Sequence, residues 1–276
     1  MVSKLLKLMP PHDYYVEPFG GGASLLFAKP PAKVETYNDI NRNLTDFFRV
    51  LKDKSKFEKF YQLVVGTPYS RIEYNEAREK FKIQNWKDDV EKAYYFFIVA
   101  KMSFSGRFGQ GWSSAVTASH REMAATCSRW FSTVDMLPQI HERLSMVQIE
   151  NSDWRNILQR YFGEEYLAYV DPPYVSSTRK SGKYEHEMTD ADHRELVEYL
   201  LNYDGKVMLS GYSNELYKLL DDAGWVRYDF KTGCYAAGKT RATGLQGKGA
   251  AMQKQSRVES VWLNPQSNVF ELKNEV

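Results

Sequence analysis

Asp171, Pro172, Pro173 and Tyr174 follow directly on an apolar run, Leu167 to Val170. The run has the make-up of a buried strand, so the carboxylate sits where a strand ends. The two prolines fix their own φ and restrict the residue before them. They also remove two backbone N–H donors, leaving carbonyl oxygens and a carboxylate beside the flat face of Tyr174. Such an acceptor-rich corner suits a planar ring bearing an exocyclic amino group. The amino hydrogens would go to Asp171 and a proline carbonyl, and the ring would stack on the phenol. On these four residues alone, a proline turn capped by an aspartate is the structural alternative.

A second strand end carries "YVEPFGGGAS", in which Glu17 to Gly22 stand where a strand meets a helix. Adjacent glycines allow a ligand to approach the backbone closely. The spacing is not GxGxxG, and a plain tight turn is the alternative. The next strand, "VETYND", ends in Asp39, 17 residues after Gly22. An acid at about that distance commonly binds the two hydroxyls of a ribose. Asp39 could equally cap the helix that opens at "INRNL", and both roles can hold together. No Lys-Ser/Thr pair follows the glycines, which disfavours a nucleoside triphosphate.

For two strand ends to share one site, the strands must lie in one sheet and point the same way. The first block reads as strand, helix, strand, helix, the second helix carrying apolar Leu44, Phe47, Phe48 and Leu51. From Val147 the alternation resumes: "VQIENSDW" as strand, "WRNILQRYF" as helix, "EYLAYV" as strand. Then come a helix opened by a capping box at Thr189 and Asp192, the strand "KVMLSGY" and the helix "NELYKLLDDAG". "WVRYDFK" and "RVESVWLN" follow with no helix between and are expected to pair antiparallel. The fold class is α/β, an open, doubly wound, mostly parallel sheet. The middle block loses the rhythm. It holds a buried helix at "DVEKAYYFFIVAKM", a glycine-rich hairpin or ordered loop at "SFSGRFGQGWSSA" and another helix at "MLPQIHERLSM". The expected division is a core of residues 1–52 and 147–276 and an insert of residues 53–146. No internal repeat stands out.

Composition excludes several classes. At 276 residues the chain suits one domain with an insert; 43% hydrophobic and 26% charged residues are those of an ordinary soluble protein. No apolar run reaches the roughly 18 residues of a membrane span, and "MVSKLLKLMPPHDYY" has the features of neither a signal peptide nor an anchor. Cys127 and Cys234 suggest neither a disulfide framework nor a zinc site, and no metal is expected. The cytoplasm is the default location. Net charge is only +2, but Lys231 to Arg257 holds six basic residues, five glycines and no acid. That segment, with Lys239 and Arg241 near its middle, is either a solvated loop or one that closes over phosphates.

"EPFGGG", an acid ending the second strand, an irregular insert and then "DPPY" together resemble the DNA adenine methyltransferase family. "IENSDW", "SGYSNELY" and "ESVWLNP" extend the likeness to both halves of the chain. The resemblance implies a Rossmann-like methyltransferase sheet with an inserted helical and hairpin DNA-recognition domain. It implies S-adenosylmethionine as cofactor and double-stranded DNA as partner. Glu17, Pro18, Phe19, Gly20, Gly21 and Gly22 would lie beneath the cofactor's methionine and ribose. Asp39, with Ile40 beside it, would bind the ribose hydroxyls. Asp153 and the backbone at Trp154 would meet its adenine. Asp171, Pro172, Pro173 and Tyr174 would hold the target base, Asp171 also lying near the cofactor's methionine end.

A base inside a duplex cannot reach such a pocket, so it would be flipped out. Arg179, Lys180 and Lys183 would close on the DNA backbone, and Arg107 in the insert is the residue best suited to a guanine edge. Amino transfer needs no covalent enzyme intermediate, in keeping with the absence of a Pro-Cys nucleophile. The target is the amino group of adenine, or by the same acceptor logic that of cytosine. A DNA-binding homologue without turnover is the reading from another class, and a dehydrogenase has the wrong glycine spacing. A restriction endonuclease acting separately is compatible with such an enzyme. Two departures stand out. Family members usually carry a Gly-Lys segment ahead of the first strand, and here the strand follows "MVSKLLKLMPPH" too closely to contain it in register; Lys4 could substitute but is not among the expected site residues. The insert also differs from that of members reading GATC, so that specificity is not carried over.

Overall fold

The computed structural model describes residues 1–175, 186–233 and 256–267. These divide into two compact units. One takes in residues 1–45, 146–233 and the described residues from Ser256 onward; the other takes in residues 46–145. Among the described residues no helix is long and apolar enough to cross a membrane.

The first unit begins with α1 (Val2–Leu8), β1 (Tyr14–Glu17), α2 (Ser24–Ala28), β2 (Val34–Asn38) and the first turn of α3 (Arg42–Lys52). The second unit supplies α4 (Lys54–Val65), α5 (Arg71–Lys82), α6 (Asp89–Met102), the short strands β3 (Ser119–His120) and β4 (Met123–Ala124), α7 (Ala125–Asp135) and α8 (Leu137–Ser145). The first unit then resumes with β5 (Val147–Glu150), α9 (Trp154–Arg160), β6 (Tyr166–Val170), α10 (Asp190–Leu201), β7 (Lys206–Gly211), α11 (Lys218–Asp222), β8 (Val226–Gly233) and β9 (Ser256–Leu263).

Seven strands form one sheet in the order β5-β2-β1-β6-β7-β9-β8. Neighbours from β5 to β7 are parallel, and β9 runs against both β7 and β8. The mostly parallel sheet and its antiparallel C-terminal pair are those expected. Strand order reverses between β1 and β6, and in open sheets that crevice at the carboxyl ends is where ligands bind. Alternation along the strands fills both faces. Val16, Ala168, Val170, Val207 and Leu209 pack with α9, α10 and α11 in one apolar cluster. Tyr15, Glu17, Tyr169 and Asp171 belong to the opposite set.

Local chemistry explains the helix ends. Thr189 and Asp192 form the expected capping box of α10. α11 is shorter than the pattern "NELYKLLDDAG" predicts. Asn214 Oδ1 accepts the N–H groups of Leu216 and Tyr217, holding that stretch in a turn, and Gly224 ends the element at φ 82°. α1 was not expected. Leu5 and Leu8 are its buried residues, and Lys4 Nζ lies 5.0 Å from the centre of the Phe230 ring.

The second unit is more helical than its sequence suggests. α4 and α5 are opened by Asp53 and Ser70, whose side chains accept backbone N–H groups. They present few buried residues, Phe57, Phe60 and Val64 on α4 and Tyr74 and Ala77 on α5, so charge masks their period. Phe47, Phe60, Phe97 and Trp130 form an aromatic core. "SFSGRFGQGWSS" is an ordered loop. Ser103 bridges Trp112, Phe104 N–H donates to Gly111 O at 2.7 Å, and Gly111 N–H donates to the buried Tyr74 hydroxyl at 3.0 Å. The hairpin lies further on, at β3 and β4.

Gly20 fixes the turn after β1. A Cβ there would fall 2.1 Å from Tyr37 Cε2 and 3.0 Å from Asn38 O. Gly20→Ala is expected to lower stability by about 1–3 kcal/mol through overpacking, read as a lower urea midpoint at unchanged slope; an unchanged midpoint contradicts the close packing.

Candidate active site

A cavity of about 540 Å³ opens at the carboxyl ends of β1, β2, β6 and β7. Glu17, Phe19, Gly20, Gly21, Gly22, Asp39 and Ile40 line it, and so do Asp171, Pro172, Pro173 and Tyr174. Both motifs singled out in the sequence thus face one space. Met1, Val2 and Leu5 of the α1 region also line it, as do His186, Ser210 and Glu259. Lys4, which could have stood in for the Gly-Lys segment, is not among the lining residues.

Three other expected residues are not among them. The Pro18 carbonyl accepts from Asn38 Nδ2 at 2.8 Å. Asp153 caps α9 through Arg155 N–H and pairs with the Arg155 guanidinium at 3.1 Å. The Trp154 side chain is buried in the core beside Phe19. Arg107 is exposed in the ordered loop of the other unit, its N–H donating to Phe104 O. Arg179, Lys180, Lys183, Lys239 and Arg241 lie outside the described residues.

The glycine turn is held by acceptors from β2. Gly21 N–H donates to Asp39 Oδ2 at 2.8 Å, and Asn41 N–H to Asp39 Oδ1 at 2.7 Å. Asn41 Oδ1 in turn accepts Asn43 N–H, so the capping of α3 falls to Asn41 rather than Asp39. Gly21 has φ 49°, and a Cβ on it would meet nothing within 4 Å. The Tyr37 hydroxyl donates to Gly21 O at 2.8 Å. Asn38 was missed by sequence reasoning. Fully buried, it donates to the carbonyls of Pro18 and Ser152 and accepts Ser152 N–H, tying the turns after β1 and β5 together.

Two tyrosines were also missed. Tyr15 donates to Glu17 Oε1 at 2.6 Å, and Tyr169 to Asp171 Oδ2 at 3.3 Å. A short echo in the sequence marks them: Tyr-Val-Glu-Pro at 15–18 and Tyr-Val-Asp-Pro at 169–172. β1 and β6 are adjacent, with Val16 opposite Ala168, so the two Tyr-acid pairs lie on one face staggered by two residues, Glu17 coming level with Tyr169. Burial raises both phenols, which remain donors throughout the working range.

Burial also governs the acids. Glu17 is pushed up to about 8, while its bonds from Tyr15 and Leu26 N–H pull the other way. Asp171 is pushed up to about 7, again by burial, with the Tyr169 hydroxyl opposing and the charge of Glu259 adding to the rise. Asp171 keeps part of its surface open to the cavity while the protein around its carboxyl excludes bulk water. Near neutral pH the corner therefore holds carboxyl groups poised between neutral and charged. Tyr174 stands against Tyr212, ring centres 4.5 Å apart and tilted by 57°.

The sheet order, the glycine turn at its switch point and the Asp-Pro-Pro-Tyr corner define a Rossmann-like methyltransferase domain. Residues 1–232 match the family described as D12 class N6 adenine-specific DNA methyltransferase, and the chain belongs to that family. A comparison with curated proteins finds no match. The protein is thus an adenine-specific DNA methyltransferase acting on DNA, and the family resolves the choice between adenine and cytosine that the acceptor corner left open.

Glu17 gives a stability test. Its carboxyl ionises near the ordinary 4.5 when unfolded and near 8 when folded, so the folded state holds the extra proton between these values. Its contribution is fully present below the lower value and is lost as pH rises to the upper one, by up to about 1.4 kcal/mol per pH unit. Asp171 acts in the same sense. Glu17→Gln should flatten the decline of stability between pH 5 and 8 in denaturation curves; a decline as steep as that of the wild type contradicts the buried, neutral Glu17.

Proposed function

We propose that the protein transfers a methyl group from S-adenosylmethionine to the exocyclic amino group of an adenine flipped out of double-stranded DNA. The observation that carries this reading is the single cavity on which the glycine turn, Asp39 and the Asp-Pro-Pro-Tyr corner all open. The donor set fits the cofactor. Asp39 offers carboxylate oxygens to ribose hydroxyls, the acids at the ends of β1 and β6 suit its cationic groups, and the open side of Gly21 leaves room for close approach. The volume lies in the usual range for small-ligand sites. When bound, S-adenosylmethionine would supply a methyl group on a sulfonium; the amino nitrogen would take it in one displacement that breaks the sulfur–methyl bond, leaves the neutral thioether and releases one amino proton.

The chain's own residues prepare the nucleophile. An aromatic amine is weak because its lone pair is delocalised into the ring. Asp171 and the Pro172 carbonyl accept its two hydrogens and draw the lone pair out of conjugation, while Tyr174 holds the ring by stacking. The Tyr169 hydroxyl orients the Asp171 carboxylate. Catalysis is alignment and electrostatics, with no covalent enzyme intermediate. Asp153 and Trp154 would meet the cofactor's adenine through backbone and edge contacts beside Asp39, an arrangement supported by the hydrogen bonds of Asn151 Nδ2 to the carbonyls of Asp39 and Ile40.

Residues 1–52 and 147–276 serve as the catalytic domain and 53–146 as the target-recognition insert, with Arg107 on its ordered loop reading a guanine edge. Arg179, Lys180, Lys183, Lys239 and Arg241 contact the DNA backbone, giving a salt-dependent affinity.

Asp171→Ala should lower methyl transfer from labelled cofactor to duplex DNA by roughly 10²–10³-fold, with DNA affinity within a few-fold of wild type. Label recovered in methyladenine at near-normal rates would remove Asp171 from its role. Because only the ionised carboxyl accepts both ways, kcat/KM for the cofactor should fall about tenfold per pH unit below about 7 and level off above it. A kcat/KM flat from pH 5 to 8 contradicts this.

A further inference from the structure

We propose that Glu259 is a specificity-determining residue that selects the cationic cofactor over its neutral, demethylated product. The inference rests on S-adenosylmethionine being the donor. Glu259 lies beyond residues 1–232, which match the family. It reaches the site by topology. β9 is antiparallel to β7, with Ser260 opposite Gly211, so Glu259 stands one residue past the carboxyl end of β7. There it lines the cavity together with Glu17, Asp39 and Asp171. A parallel strand delivers to this edge only the residues at its end; β9 delivers those at its start.

Among the described lining residues there are four acids and one histidine, His186, and no lysine or arginine. Glu259 is half-buried and, among the described residues, pairs with no cation. The methyl donor and its product share every neutral group and differ by one methyl and one positive charge. Hydrogen bonds to ribose or base edges serve both alike. A carboxylate facing the sulfur serves only the sulfonium, and its attraction is large where water is thinned. A wall of acids therefore holds the donor and releases the product.

Removing Glu259 has a second effect of opposite sign, because its charge adds to the burial that raises the Asp171 carboxyl. Measurement at about pH 8.5, where Asp171 is ionised with or without that charge, separates the two. Binding of S-adenosylmethionine and S-adenosylhomocysteine to the full chain, without DNA, is measured by titration calorimetry for wild type, Glu259→Gln and Glu259→Asp. Glu259→Gln should lose about tenfold of the preference for the sulfonium, through weaker donor binding with product affinity unchanged. Glu259→Asp should keep most of it. A preference unchanged in Glu259→Gln, or both ligands weakened equally, overturns the proposal while leaving the cofactor assignment standing. If wild type binds neither ligand, the cofactor assignment falls and this proposal with it. Should Glu259→Gln not fold, Glu259→Ala at this half-exposed position gives the same reading.

Discussion

Two carboxyl groups withheld from bulk water at the ends of adjacent parallel strands set the character of this molecule. Glu17 ends β1 and Asp171 follows β6, each two residues beyond a tyrosine that donates to it. Leaving a carboxylate charged in such a place is unfavourable, and the protein answers by raising both groups towards neutral pH. Strand alternation makes the arrangement possible. The same period that points Val16 and Val170 into the core with α9 and α10 points Tyr15, Glu17, Tyr169 and Asp171 to the other face. The sheet therefore builds its core and its site from one register.

That constraint also sorts what can enter. A cavity lined by acids repels phosphates, so a nucleotide's backbone has no favourable place in it. A neutral base with an amino group finds acceptors and an aromatic face, and a cation finds carboxyl groups able to ionise beside it. Positioning of the other half of the cavity falls to neutral groups. Asn38, Asp39 and the Tyr37 hydroxyl hold the glycine turn by hydrogen bonds to its backbone, leaving the outer side of Gly21 open.

Much of this was legible from residue types at strand ends. The Asp-Pro-Pro-Tyr corner and the Glu-Pro-Phe-Gly-Gly-Gly turn announce themselves because prolines and glycines there have few structural uses. Residues with an ordinary structural reading stayed hidden. Tyr15 and Tyr169 look like core aromatics, and only the paired Tyr-Val-acid-Pro runs betray them. Asn38 looks like the polar tail of a strand, whereas its amide spans two loops far apart in sequence. Glu259 sits inside a recognised run, but its reach depends on the direction of β9, which is a property of the sheet and not of the segment. In the second unit, α4 and α5 bury so few side chains that charge overwrites their helical period.

The central claim is that Glu17 waits largely protonated, that Asp171 is poised between neutral and charged, and that both become charged when a cation arrives. Calorimetric titration of the protein with S-adenosylmethionine at pH 7, repeated in buffers of different ionisation enthalpy, counts the protons exchanged. The account predicts a net release of roughly one proton per cofactor bound, reduced in Glu17→Gln. Binding with no proton exchanged, or with uptake, would contradict it.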